Sequence, residues 1–231
     1  MSILLTGSSR GIGAAILSSL QAREVAVFGH GTRSGIPADF DEAGAPAALW
    51  NEALDRAGGT IDVLINNAGV FEANALDGED DDWLFGWERT MRINLTASAQ
   101  LCRLAVLHWQ NRGVGGRIVN VASRAAYRGD SPQHWHYAAS KAGMVAMTKT
   151  IARGYANQGI LAFAICPGFT MTGMAEEYLA SRGGDKLLAD IPLGKVADPE
   201  EVAKVATFCA LDAPPSMTGA VIDVNGASYV R

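Results

Sequence analysis

"ILLTGSSRGIGAAI", residues 3–16, is the stretch that decides the fold. A short apolar run, Ile3 to Leu5, stops at a glycine-rich turn, Thr6 to Gly13, and the chain continues with the apolar spacing of a helix. A strand that feeds through glycines directly into a helix is the first half of a strand-helix-strand unit. In such a turn Gly7 permits the tight reversal, Gly11 lets a pyrophosphate reach the backbone, and Gly13 lets the helix pack against the strand. The helix N-terminus adds amides and a positive dipole. Gly7, Ser9, Arg10, Gly11, Ile12 and Gly13 are therefore the expected phosphate cradle of a dinucleotide.

The same alternation runs down the chain. Val25–Phe28, Ile61–Ile65, Ile118–Val121, Ile160–Ile165 and Val221–Val224 follow Ile3–Leu5 as strand candidates. Helical spacing covers roughly 11–22, 45–57, 83–112, 136–157 and 199–211. Alternation at this interval predicts an α/β fold, a doubly wound parallel sheet of Rossmann-like type with helices on both faces. Glycine and proline clusters fall between elements as turns, and no linker or repeat divides residues 1–231, so a single domain is expected. The acidic run "GEDDD", 78–82, is placed to favour the positive end of the helix near Trp83 rather than to hold a metal.

The composition, 48% apolar and 19% charged over 231 residues, is that of a globular chain with a sizeable core. A formal net charge of -5 argues against a nucleic-acid partner, which would need a basic face. Apolar runs are too short to span a membrane and the start lacks the pattern of a signal peptide, so a cytoplasmic protein is expected. Cys102, Cys166 and Cys209 are far apart and show no metal-ligand spacing; buried thiols are expected, and no metal site.

An acidic residue after the second strand takes the ribose of NAD, and a basic one accommodates the phosphate of NADP. This chain reads "GHGTRSG" there, 29–35, with no acid. Thr32 and Arg33, with Arg10, offer donors and positive charge to a 2'-phosphate, so NADP(H) is favoured over NAD(H).

"HYAASKAG", 136–143, sets Tyr137 and Lys141 one helical turn apart on one face. A phenol can exchange a proton with a carbonyl or alcohol oxygen only if its pKa falls from near 10 toward working pH, which takes about 4 kcal/mol of preference for the phenolate. A neighbouring ammonium in a dry site contributes to that preference. Ser123, at the end of a strand where open α/β sheets bind ligands, is a donor to the substrate oxygen. Asn94, polar and mid-helix, calls for a specific role. Alone, Tyr137 and Lys141 read equally as an exposed helix pair; Ser123, Asn94 and the glycine turn favour acid-base chemistry.

Six stretches in order, "TGSSRGIG" (6–13), "NNAG" (66–69), "RINLTAS" (92–98), "IVNVAS" (118–123), "YAASK" (137–141) and "CPGFTMT" (166–172), resemble the short-chain dehydrogenase/reductase family over nearly the whole chain. "GRIVNVAS", "YAASKAGM" and the ending "TGAVIDVNGASYVR" are similar to its 3-oxoacyl-carrier-protein reductase branch. The resemblance implies an NADP(H)-dependent reduction of a carbonyl to an alcohol, or the reverse. It implies Asn94, Ser123, Tyr137 and Lys141 as the catalytic tetrad, Asn94 holding a water that links Lys141 to solvent. It places Asn67, Ala68 and Gly69 beside the cofactor, Asp39 near the adenine, Pro167, Gly168, Thr170 and Thr172 on the nicotinamide side, and Tyr137 and Lys141 against the cofactor ribose. It implies a homotetramer built on the two long helices.

Two departures stand out. Only Gly29 to Pro37 separate the second strand from "ADFD", 38–41, where the family carries a helix, and a parallel crossover needs about a dozen residues. An extended return loop or a vestigial third strand is expected, in either case a shortened connection between the second and third strands. The interval from Ser123 to Tyr137 is one residue longer than is usual, and "RAAYRGDSPQHWH", 124–136, is expected to shape the pocket for a small-molecule substrate. Arg124, Tyr127, Arg128, His134 and Met174 are its candidate lining. His30 and His108 read as structural. Thr170–Lys195 is a polar segment able to cover a substrate, with Met171, Met174, Tyr178 and Leu179 as contacts. Other readings are an NAD-dependent alcohol or sugar dehydrogenase, elimination chemistry at the same tyrosine, and a non-catalytic dinucleotide sensor.

Overall fold

A computed structural model describes residues 1–171 and 188–231. The strands are β1 (Ser2–Leu5), β2 (Ala26–Gly31), β3 (Ile36–Pro37), β4 (Val63–Asn66), β5 (Gly116–Val121), β6 (Ile160–Pro167) and β7 (Val221–Val224). They form one parallel sheet in the order β3-β2-β1-β4-β5-β6-β7. The helices are α1 (Gly11–Gln21), α2 (Ala45–Arg56), α3 (Asp80–Met91), α4 (Ala97–Arg112), α5 (Ala125–Arg128), α6 (Trp135–Tyr155) and α7 (Pro199–Thr207).

Period-two alternation along the strands sorts the apolar side chains into two layers. Leu4, Leu64, Ile118 and Ile160 join α2 and α4 in one core. Ile3, Leu5, Val63, Ile65, Val119 and Phe163 join α1 and α7 in the other. Every residue of β4 and of β6 is buried, as a parallel sheet covered on both faces requires. The doubly wound α/β sheet expected from the sequence is thus the observed fold. Its strand order reverses between β1 and β4, and the glycine turn opens at the carboxyl end of β1, where such sheets bind ligands.

The shortened connection after β2 takes the form of a vestigial third strand, one of the two outcomes expected, and one helix differs from the sequence reading. The six expected strands are joined by a seventh, β3, of two residues, paired His30 to Ile36 and Gly31 to Pro37. Residues 32–35 make the whole return, so the third strand is vestigial and reached without a helix. Gly35, at φ +64°, makes this reversal, and a Cβ there would overlap the Gly29 carbonyl. The long helix expected over 83–112 begins three residues earlier, with Asp80, Asp81 and Asp82 in its first turn. It is also broken by a π turn, Arg92–Thr96, which carries Asn94. An extra residue in a helical turn re-aims its side chains, a device common at functional sites.

Candidate active site

The turn expected to cradle phosphates contains two positions, Gly7 and Gly13, that admit no side chain. Gly7 adopts φ +68°, and a Cβ there would stand 2.8 Å from the Ala68 Cα. At Gly13 a Cβ would overlap the Gly7 carbonyl oxygen, so α1 packs as close to the turn as backbone allows. Asn67 locks this contact by donating its amide to the Thr6 and Gly7 carbonyls at 3.2 and 2.9 Å. The Thr6 hydroxyl accepts the Asn67 and Ala68 amides, both at 3.0 Å. The turn after β1 and the loop after β4 are therefore one rigid unit. Arg10 caps α1 in an extended conformation, without a side-chain cap and without an acid in the first turn. No side chain caps the α1 N-terminus, and its free amides and positive dipole end fit a dinucleotide pyrophosphate.

Ser9, Arg10, Thr32 and Arg33 are exposed around this cradle, and so is Asp39, whose carboxylate accepts the Asp41 amide at 3.0 Å. Pro167 ends β6 and Gly168 follows it; Gly168 donates to the Val224 carbonyl at 2.9 Å, and a Cβ on it would meet Asn225. Thr170 is buried and bonds the Gly168 carbonyl at 3.3 Å. Thr172, Met174, Tyr178 and Leu179 lie outside the described residues.

Ser123, Tyr137 and Lys141 converge beyond the carboxyl end of β5. The Ser123 hydroxyl accepts the Ala125 amide at 3.1 Å and is hydrogen-bonded to the Tyr137 phenol. Lys141 is buried, donates to the Val121 carbonyl at 2.9 Å, and has its ammonium 5.8 Å from the centre of the Tyr137 ring. Burial dominates both groups and moves them in opposite senses. It pushes the phenol up to about 12, partly offset by Ser123, and brings the ammonium down to about 8. At neutral pH the site thus holds a neutral phenol beside a lysine that gives up its proton more easily than usual.

Asn94 is fully buried, and its amide is clamped on the backbone of Val70. Its oxygen accepts the Val70 amide at 2.8 Å and its nitrogen donates to the Val70 carbonyl at 3.0 Å, with Ser140 at 3.3 Å. The π turn delivers this side chain to the "NNAG" loop, and both ends of its amide are committed there.

Of the expected pocket residues, Arg124 and Arg128 are brought together, but with each other's counter-ion. Both reach Asp190, at 3.5 Å from Arg124 and 3.0 Å from Arg128, and Arg124 lies over the Phe169 ring at 5.1 Å. Tyr127 turns away, stacking with Tyr229 and accepting from Arg231 at 3.0 Å and Lys149 at 3.3 Å. His134 stacks on Phe71 at 4.0 Å and bonds Ser131, and Phe71 meets the Tyr137 ring edge-on at 4.8 Å. Phe71 is thus a neighbour of the tyrosine that sequence spacing left unmarked; only its place two residues after "NNAG" hinted at it. Among the described residues no cluster of acids, histidines and cysteines has metal-binding geometry, and all three cysteines are buried and free.

A Rossmann-like sheet with a glycine cradle at its switch point and a Ser-Tyr-Lys group beside it defines a dinucleotide-dependent oxidoreductase. Residues 12–227 match the family model described as enoyl-(acyl carrier protein) reductase, and the chain belongs to the short-chain dehydrogenase/reductase family. It is 34% identical over 242 residues to the 3-oxoacyl-[acyl-carrier-protein] reductase FabG of Vibrio cholerae, covering 98% of this chain and 96% of that one. It is 33% identical to the acetoacetyl-CoA reductase of Rhizobium meliloti over 239 residues, 98% and 97% of the two chains. A crystal structure from Agrobacterium tumefaciens with bound NADP, assigned as a 2-deoxy-D-gluconate 3-dehydrogenase, superposes with a TM-score of 0.87 at 26% identity, covering 100% of this chain and 96% of that one.

Proposed function

We propose that the protein reduces the keto group of a 3-oxoacyl thioester to a hydroxyl, with NADPH as reductant. The convergence of Ser123, Tyr137 and Lys141 beside a glycine cradle carries this reading. The kinds of substrate handled by the 33–34% identical relatives support the thioester. Bound nicotinamide dinucleotide supplies the hydride. Gly7, Ser9, Gly11, Ile12 and Gly13 hold the pyrophosphate, Arg10, Thr32 and Arg33 the 2'-phosphate, Asp39 the adenine side, Asn67 to Gly69 the centre, and Pro167, Gly168, Thr170 and Thr172 the carboxamide.

Tyr137 gives its proton to the substrate oxygen, and Ser123 donates a hydrogen bond to the same oxygen. Lys141 as an ammonium stabilises the phenolate and binds the cofactor ribose; Asn94 fixes the loop after β4 against the π turn. Phe71 and His134 form the wall beside the phenol, with Arg124 and Arg128 at the mouth. Apolar side chains exposed along α3, α4 and α6, Leu84, Phe85, Leu107 and Trp135, support a homotetramer built on the long helical segments 83–112 and 136–157, and the absence of a spanning helix among the described residues is compatible with a cytoplasmic enzyme.

The test is a paired titration with NADPH and NADH, followed by turnover on acetoacetyl thioesters, simple ketones and keto sugars. NADPH binding at least about tenfold tighter and turnover of the thioester are expected, since a 2'-phosphate held by arginine gains a charge-assisted pair. Equal affinity for the two cofactors would reject the roles of Arg10 and Arg33, and preference for a keto sugar would reject the thioester.

A further inference from the structure

His30 is the penultimate residue of β2, beside the glycine turn, and is 3% exposed. Its two ring nitrogens are both engaged, and their partners fix its tautomer. The Gly7 amide donates to Nδ1 at 3.2 Å, so Nδ1 carries no proton. Nε2 lies 2.9 Å from the Ala38 carbonyl, which only accepts, so Nε2 carries it. The ring stacks on Phe40 at 4.4 Å. Its backbone completes the attachment: the His30 carbonyl accepts the Ser8 amide at 2.8 Å and the Ser8 hydroxyl at 3.1 Å.

The shortened return from β2 explains the need. Residues 32–35 give no helix to support the edge of the sheet, and β3 contributes two residues. One imidazole spans that gap, tying the first glycine of the cradle to the segment after β3. We propose that His30 is a positioning residue for the dinucleotide, holding the Gly7 turn through its unprotonated Nδ1, and that protonation of His30 releases the turn and weakens cofactor binding. This rests on the reading that the turn holds a dinucleotide.

A protonated ring would present an N–H to the Gly7 N–H, two donors face to face. Burial already holds the imidazole below its ordinary value, against the Ala38 carbonyl and the Asp39 carboxylate, which favour the cation. Asp39 is the charged group acting on the ring; Asp41, two residues on, is turned to Arg89 and Arg92. The neutral ring therefore persists through neutral pH, and the bond to Gly7 is lost as pH falls through a value below 6.5.

Asparagine and glutamine separate the two nitrogens, since Asn Oδ1 replaces the Nδ1 acceptor and Gln Nε2 replaces the Nε2 donor. NADPH affinity is measured by fluorescence titration from pH 8 down to about pH 5, with melting temperature alongside. His30→Asn is expected to bind within about threefold of wild type at pH 8, and His30→Gln about tenfold more weakly, because it leaves the Gly7 amide unpaired. The acid-side loss of affinity in wild type is expected to exceed that in His30→Asn, whose remaining slope reports the ligand's own phosphate. Equal affinity of the Asn and Gln variants, or identical pH slopes in wild type and His30→Asn, would overturn the proposal. Wild type that binds no dinucleotide would instead overturn the functional reading, while His30 variants that melt early yet retain this order of affinities still support it.

Discussion

Lys141 and Tyr137 share a helix face, yet the ammonium is held by the Val121 carbonyl at 2.9 Å and lies 5.8 Å from the centre of the phenol ring. The two groups share a dry site, and burial is the largest influence on each of them. Burial pushes the phenol up to about 12, opposite to the lowering that the Tyr137–Lys141 spacing led us to expect, so the phenol is protonated at neutral pH and its preference for the phenolate has to come from the bound substrate and cofactor. Tyr137→Phe removes the donor and leaves the cradle intact. Turnover should fall about 10²- to 10⁴-fold while NADPH affinity changes little, measured by steady-state kinetics and fluorescence titration.

Lys141 carries a stability cost, because it is buried as a cation. Its folded value, about 8, lies below the ordinary 10.5, so the folded chain binds its proton less tightly than the unfolded chain does. The cost is full below about pH 8 and vanishes as pH rises to about 10.5. It amounts to roughly 3 kcal/mol, and losing the bond to Val121 offsets about 1 kcal/mol of any gain from its removal. Lys141→Met should therefore abolish activity and stabilise the unliganded protein by about 2 kcal/mol at pH 7, a gain that shrinks steadily toward pH 10.5 in urea unfolding.

Gly13 tests the cradle. Because a Cβ there would overlap the Gly7 carbonyl, Gly13→Ala must push α1 away from the turn. Roughly 2–3 kcal/mol of stability should be lost by denaturant unfolding, and NADPH affinity should fall with it. Gly154, on the exposed side of α6 with open space at its Cβ position, is the matched control: Gly154→Ala should raise stability by about 0.5–1 kcal/mol.

Asn94→Ala leaves both the amide and the carbonyl of Val70 without their partner. A loss of about 1–2 kcal/mol follows from two backbone groups left unpaired at a half-buried residue. Asn94→Asp keeps the bond from the Val70 amide but sets a carboxylate against the Val70 carbonyl, so it should fare no better near neutral pH and partly recover as pH falls toward about 4. Melting temperature across pH checks both.

Phe71→Ala opens the wall beside Tyr137 and unstacks His134. The Michaelis constant for a small ketone should rise with little change in NADPH affinity, and bulkier acyl groups should gain relative turnover, read from kcat/KM across a substrate series.

The sequence by itself determined what neighbouring residues can determine. Strand, glycine turn and helix follow from the order Ile3 to Ile16, and the shared face of Tyr137 and Lys141 follows from helical pitch. The missing helix after β2 was legible as a chain too short to cross. Even so, the tetrapeptide return and the two-residue β3 emerged only in the assembled sheet. The tertiary structure alone decided which distant groups meet: His30 with Gly7 across 23 positions, Asn94 with Val70 across 24, Asp190 with Arg128 across 62. Hydrogen-bond partners of this kind depend on strand order and on a π turn that no local propensity encodes. Protonation was decided at the same level, because the charge of Lys141 and Tyr137 is set by how much water the folded sheet removes from around them, and that is a property of packing rather than of spacing.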